Sequence, residues 1–389
     1  MIRKFLRLCW RECVLCCKDP RRLIFLFGAA LAYMALFYLL YSPNIVKNIP
    51  VTICDEDDSV ISREIVKRIG DNDFFHEPVM AATQEEVLED LHEQRAVLGV
   101  VIPRDFSKEI LRGRSQTLLL ALDGTNLMPV STSVREMENL LAVYGNELAA
   151  QNVAQRTGLD RSRAHRKTEP FRVTTRMLGN PIQGYAWFFL IGLGIAAFQQ
   201  GQFFATGSSM FQDDPEGRRG IPPALLYVQK LVFYTVAAFF SYSMALGAMT
   251  QVADIPRKAP LSVLLLLGLV FSFALTALGL WFASLFSSEY HFVQCSLIYP
   301  VVGFILAGYT WPLAAMPAPL QIAAHFLPQT WFMEPFRQCL LLGVPADYWE
   351  HIEVLTGMGV FFTVLGAWSC WRKWRFTQDF LSEEAVADR

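Results

Sequence analysis

Between residues 185 and 311 four apolar stretches (185–206, 225–249, 261–286 and 292–311) follow one another with only short connections. Each is long enough to cross a hydrocarbon layer, which takes about 20 predominantly apolar residues. A fifth stretch, 23–41, precedes them, and a weaker sixth, 352–371, follows with Glu353 at its mouth. Packing so many apolar helices on all sides of a soluble core, with so little chain between them, is a poor alternative to a bilayer. Composition agrees: 53% of residues are hydrophobic and 18% charged, against about 25% charged in soluble domains. So much apolar surface excludes a disordered chain. A formal net charge of −2 gives no general attraction for nucleic-acid phosphate.

The 23–41 stretch exceeds the usual 7–15-residue apolar core of a cleaved signal, and no small-x-small site follows it. It reads as a retained anchor. Arg3, Lys4, Arg7, Arg11, Lys18, Arg21 and Arg22 precede the first span, Arg218 and Arg219 lie between the second and third, and Arg372, Lys373 and Arg375 follow the sixth. The opposite short connections hold Arg257, Lys258 and Arg337. The positive-inside rule then puts both termini in the cytoplasm. The expected organisation is a cytoplasmic interfacial helix at 1–22, a first span at 23–41, an extracytoplasmic domain at 42–184 and five further spans in 185–389. That last part includes a cytoplasmic loop at 207–223, an outer-face segment at 311–350 and a cytoplasmic tail.

Within 49–178 the pattern changes to short strands (51–54, 96–102, 117–122) alternating with helices at 60–69, from Thr83, at 106–111 and at 128–157. Thr83 and Glu86 have the spacing of a capping box. The apolar run 96–102 suits a strand buried on both faces. The fold class expected is an α-helical integral membrane protein of six transmembrane helices with an inserted α/β extracytoplasmic domain. The acidic run Asp55-Glu56-Asp57-Asp58 lacks the ladder, glycine and terminal Glu of a calcium loop, and reads as a solvated strand-end turn. Cys54 is the domain's one cysteine, so no disulfide forms within it. No Gly-rich phosphate loop follows any of its strands.

Ion-driven transporters place ionisable residues or broken helices at mid-membrane. Here the strongest polar groups inside the spans are Gln199, Gln200, Gln202 and Gln294. Lys230, Glu289 and His291 fall near span ends, where snorkelling to the interface is expected. The chain has no G-x-x-x-x-G-K-[ST] loop, so the energy for any transport enters from elsewhere. Phe198, Gln199, Gln202 and Phe203 are candidates to line a route for an apolar substrate; packing between helices or against lipid is the plainer reading. Beyond 311, prolines 312, 317, 319, 328, 335 and 345 divide the chain into apolar pieces, 320–326 and 332–342, too short to span. They are expected as re-entrant or interfacial helices. Glu334 and Arg337 are i,i+3 neighbours there and expected to pair, as a pin or as part of a gate.

In residues 2–18, Ile2, Phe5, Leu6, Cys9, Trp10, Cys13, Cys16 and Cys17 form an apolar side bordered by basic residues, the pattern of an interfacial helix. Cys9, Cys13 and Cys16 share a face; with no histidine and no second thiol pair, they read as small apolar residues rather than zinc ligands.

Four features together are similar to the permease subunits of ABC-2 type exporters. Asn180-Pro181 precedes the second span. A loop with Glu216, Arg218, Arg219 and Gly220, then Pro222-Pro223 and Gln229-Lys230, resembles the family's coupling loop in compressed form. Gly308-Tyr-Thr-Trp-Pro312 with Met316-Pro317, then Leu327-Pro328 through Glu334, Arg337 and Gly343, resembles its outer-face signature. One helix, a large domain and five helices complete the likeness over essentially the whole chain. The resemblance implies a bacterial inner-membrane efflux permease that is not itself an enzyme. It implies a cytoplasmic ABC ATPase subunit that binds ATP and Mg, and a second permease copy or paralogue forming a dimer. Where the envelope has two membranes, it also implies room for a periplasmic adaptor and an outer-membrane channel. Glu216, Arg218, Arg219 and Lys230 are the coupling residues it implies. The rival readings are a membrane-anchored receptor or assembly scaffold acting through the inserted domain, and an integral-membrane enzyme, for which no cluster of ionisable residues is evident.

Overall fold

The computed structural model describes residues 2–41, 46–158, 177–180, 184–212 and 222–387. They fall into two compact units: Pro43–Arg176, and a helical unit of Met1–Ser42 with Met177–Arg389.

The helical unit opens with α1 (Ile2–Lys18) and α2 (Pro20–Leu40). Asp19 separates them: its backbone is extended, its carboxylate accepts the Arg21 N–H at 3.1 Å, and Pro20 takes the first helical position. That is the local chemistry that starts a new helix. Inside α2, Ile24–Gly28 is a π-helical turn, which bulges and frees carbonyls. Ser241 Oγ donates to the Leu26 carbonyl, and Phe25's carbonyl lies so close to Gly201 that a Cβ there would overlap it.

Five long helices follow in sequence: α7 (Tyr185–Ser208), α8 (Pro223–Gln251), α9 (Leu261–Ser284), α10 (Glu289–Leu306) and, last, α13 (Tyr348–Ala387). With α2 they make six helices long and apolar enough to cross a membrane, in the places the apolar runs predict. Helices α7 and α9 are the most enclosed, whereas α10 and α13 keep apolar faces such as Leu297, Ile298, Val301 and Phe361, Val364 exposed. The core is aromatic: Phe271 stacks on Phe332 at 4.0 Å, and Tyr242 donates to the Leu264 carbonyl at 3.0 Å. Between α10 and α13 the proline-punctuated chain forms two short helices, α11 (Ala318–His325) and α12 (Pro328–Leu341). Both are too short to span, as expected. The Lys258 and Ala259 amides donate to the Leu340 and Cys339 carbonyls and so close the end of α12.

The other unit is a four-stranded sheet in the order β2-β1-β3-β4, with β1 (Val51–Asp55), β2 (Val79–Met80), β3 (Leu98–Ile102) and β4 (Leu119–Leu122). β1 is parallel to β2 and β3; β4 is antiparallel. Strand alternation divides the side chains of β1 and β3. Ile53, Val100 and Ile102 pack with α3 (Val60–Gly70) and the long α6 (Leu127–Thr157), while Cys54 and Val101 pack with α4 (Gln84–His92). The apolar run of β3 is thus buried on both faces, as its sequence predicts. Gly99 lets α4 close in: a Cβ there would overlap Val87. The remaining helix, α5, is Phe106–Leu111. The complete capping box of the unit is Ser59–Ser62. At Thr83 the hydroxyl accepts the Glu86 amide at 3.2 Å as expected, while the Glu86 carboxylate reaches back to the Ala82 amide, at 2.6 Å, rather than to that of Thr83. The two-residue β2 is too short to leave a sequence pattern.

Candidate functional site

Where α1, α2, α7 and α8 meet, ionisable side chains are removed from solvent. Glu12, Arg22 and Lys230 are 3%, 1% and 2% exposed, and Tyr234 is fully buried. Glu12 is the one acid in α1. Its carboxylate accepts from Lys230 Nζ at 3.1 and 3.0 Å and from the Tyr234 hydroxyl at 3.0 Å. Arg22 stands 3.8 Å from Glu12 and 3.5 Å from Asp19, and donates to the Tyr234 oxygen at 3.2 Å. Tyr234 therefore accepts from the guanidinium and donates to the carboxylate. Among the described residues two acids, Glu12 and Asp19, face two bases, Arg22 and Lys230.

The two cations also finish a helix. Lys230 Nζ donates to the Ser209 carbonyl at 2.8 Å and Arg22 to the Ser208 carbonyl at 3.3 Å, at the end of α7, where carbonyls lack intrahelical partners and the helix dipole is negative. Gln212, beyond that end, donates to Asp19 at 3.1 Å. Burial pushes the Asp19 carboxyl up, but the hydrogen bonds from Gln212 and the Arg21 amide, with the Arg22 charge, hold it below the usual carboxylate range. The cluster ties the α1–α2 corner to the end of α7 and, through Lys230 and Tyr234, to α8. Charges buried this far from water persist only when paired, and removing one partner of such a pair costs about 3–5 kcal/mol.

This corrects the sequence reading of Lys230. It does not snorkel to an interface; it is enclosed, because Glu12 from a separate helix neutralises it there. Glu12, Arg22 and Tyr234 were not singled out from the sequence. A lone acid on a strongly basic helix is the one signal that points to Glu12, and the apolar stripe drew attention away from it: Leu6 and Trp10 on that stripe remain exposed, while Glu12 and Cys16, one turn apart, face inward. Glu216, Arg218 and Arg219 lie outside the described residues, as does Pro181.

Phe198, Gln199, Gln202 and Phe203 are all buried within the chain's own packing. Phe203 stacks on Tyr299 at 4.5 Å, Phe198 meets Tyr242 and Phe271 edge-on or tilted, and Gln202 Nε2 lies 2.9 Å from Thr206 Oγ1 and 3.2 Å from the Tyr234 carbonyl oxygen. Gln199 Nε2 has no partner among the described residues.

The expected Glu334–Arg337 pair is likewise corrected. Glu334 accepts from Gln338, its i+4 neighbour, at 3.1 Å. The Arg337 guanidinium turns away to sit 5.3 Å over the Tyr309 ring, a cation–π contact. Among the described residues no group of three His, Cys, Asp or Glu side chains is placed to hold a metal ion.

Comparison with known proteins adds an independent line. Residues 21–368 match the family model described as ABC-2 family transporter protein. A probable multidrug ABC transporter permease, YbhR of Escherichia coli K12, is 22% identical over 308 residues, covering 78% of this chain and 80% of its own length. The inner membrane transport permease YhhJ of the same strain is 23% identical over 337 residues, covering 83% of this chain and 85% of its own. The linearmycin resistance permease protein LnrN of Bacillus subtilis 168 is 21% identical over 365 residues, covering 88% and 92%. With a family match over most of its length and six helices fit to span a membrane, the chain belongs to the ABC-2 family of transporter proteins, as a multi-pass permease.

Proposed function

We propose that this permease is the membrane subunit of an ABC exporter, and that motion from its ATPase partner enters through α1 and the 207–223 segment. The observation that carries the reading is the buried Glu12–Lys230–Tyr234–Arg22 cluster, which joins α1 to three spans. A soluble ATPase pressing on α1 or on the loop after α7 moves the same ion network. ATP and Mg are bound and hydrolysed in that separate cytoplasmic subunit; this chain supplies no catalytic group. The basic end of the bundle, with both termini, faces the ATPase, and the sheet unit is extracytoplasmic. Two permeases, identical or paralogous, shift between closed and outward-open packings. An adaptor and an outer-membrane channel join where a second membrane must be crossed.

The cargo is an apolar or amphipathic molecule, drug-like or lipid-like. The names of YbhR and LnrN, multidrug and linearmycin resistance, support that class, as does the aromatic bundle interior. Phe198, Gln199, Gln202 and Phe203 line the route once α7 separates from its neighbours, and Gln199 brings an amide with nothing to lose on exposure. The test is reconstitution with the ATPase in liposomes, with transport per ATP measured for wild type, Lys230→Met and Arg218→Glu. Both variants should lower transport per ATP at least tenfold. Unchanged coupling in both, with normal folding, would remove these residues from the coupling path.

A further inference from the structure

A second charged feature, at the opposite end of the helical unit, is built differently. Leu178, Gly179, Asn180, Arg337, Gln338, Leu341 and Leu342 line a half-open cavity of about 170 Å³. A water occupies about 30 Å³ in the liquid, so the cavity has room for a group of several heavy atoms. Its shape rests on a close approach: Gly179, in a left-handed conformation at φ 84°, is pressed against Leu341 and Leu342.

Among the described residues Arg337 is the cavity's only charged side chain. The ring of Tyr309 braces it from one side, and Tyr309 is itself fixed by a 2.6 Å hydrogen bond to the Phe188 carbonyl. Among the described residues the guanidinium has neither an ion pair nor a hydrogen bond. The nearby acid, Glu334, is engaged by Gln338. A guanidinium carries five N–H donors in a planar fork that matches carboxylate and phosphate oxygens, and here that fork has no acceptor among the described residues. Gln338 and Asn180 each spend one bond of the side-chain amide on Glu334 and on the Gly184 carbonyl, which leaves each NH₂ a second donor.

The remaining lining is apolar, and Leu178 and Leu342 are exposed at 74% and 60%. The cavity thus has a cationic floor and greasy lips. Its depth is marked as well: the spans end at Leu306 and resume at Tyr348, and Trp311, shortly after the one end, and Trp349, at the start of the next span, are exposed. Exposed tryptophans at span ends are the mark of the headgroup layer.

We propose that this cavity holds the phosphate of a phospholipid headgroup, with Arg337 as its counter-ion and the leucines against the first methylenes of the acyl chains. The test uses the full chain in non-ionic detergent. Binding of dihexanoyl phosphatidic acid is titrated by native mass spectrometry beside dihexanoylglycerol, which lacks the phosphate, and inorganic phosphate, which lacks the chains. Phosphatidic acid should bind, and the other two at least tenfold more weakly. Arg337→Gln should lose at least tenfold in affinity. Arg337→Lys, which keeps the charge and guards against a folding artefact, should lose at least threefold, because an ammonium cannot replace the fork. Equal binding of phosphatidic acid to wild type and both variants overturns the site. Inorganic phosphate binding as well as the lipid overturns the headgroup assignment in favour of a free-oxyanion site, and dihexanoylglycerol binding as well as phosphatidic acid overturns the role of the phosphate.

Discussion

The two units hold charge in opposite ways. In the sheet unit, ion pairs are many and wet: Arg68 bridges Glu64 and Glu147 at 2.9 Å each, Arg63 meets Asp58 at 2.8 Å, and Glu109 gathers Arg112 and Arg114. In the helical unit the Glu12 cluster is compact and dry. The chemistry is the same carboxylate and cation; the surrounding dielectric differs, and with it the strength of each interaction. Exposed pairs contribute about 0–1 kcal/mol each. A buried pair gives little net stability when intact, yet penalises the loss of one partner heavily. The count of ion pairs is therefore a poor guide to which of them hold elements together.

The largest expected effect comes from breaking the dry pair. Lys230→Met should destabilise the helical unit by about 3–5 kcal/mol, read from detergent unfolding, by leaving Glu12 charged and unpartnered. Adding Glu12→Gln should restore most of the loss. If the double variant is as unstable as the single, the penalty lies in packing rather than in charge.

Next is a contrast of glycines. Gly201→Ala sets a Cβ against the Phe25 backbone carbonyl, which no side-chain rotation relieves, and should cost about 1–3 kcal/mol as overpacking does. Gly145, exposed in α6 with nothing near its would-be Cβ, should behave oppositely. Gly145→Ala should stabilise the sheet unit by about 0.5–1 kcal/mol, visible as a higher unfolding midpoint. Smallest of all, Asp58→Asn removes the exposed Arg63 pair and should change that midpoint by less than about 1 kcal/mol; a larger change would show that exposure is not what separates the two kinds of pair.

The same contrast explains what the sequence disclosed. Six spans were legible because about 20 apolar residues in a row have few other folds available. Strand β3 was legible because burial on both faces leaves an unbroken apolar run. The cluster was not, because Glu12 and Lys230 are over two hundred positions apart and each looks ordinary in its own segment. Arg22 read as one more cytoplasmic positive charge, and Lys230 as a span-end lysine with water in reach. Helix α1 was recognised by its apolar side, whereas its buried ionic contact is made by its one acid. At the other end, Glu334 and Arg337 had correct spacing for a pair, but local spacing could not foresee that Gln338 and Tyr309 would claim them separately.

In the proposed mechanism the Glu12–Lys230 contact carries motion between the ATPase and the spans. The most direct measurement is a double-mutant cycle, Glu12→Gln against Lys230→Met, on transport per ATP in the reconstituted complex. Residues acting as one unit give strongly non-additive losses. Each single variant is predicted to lose at least tenfold, and the double no more than either alone. Additive losses, or wild-type transport per ATP in both singles, would contradict the account.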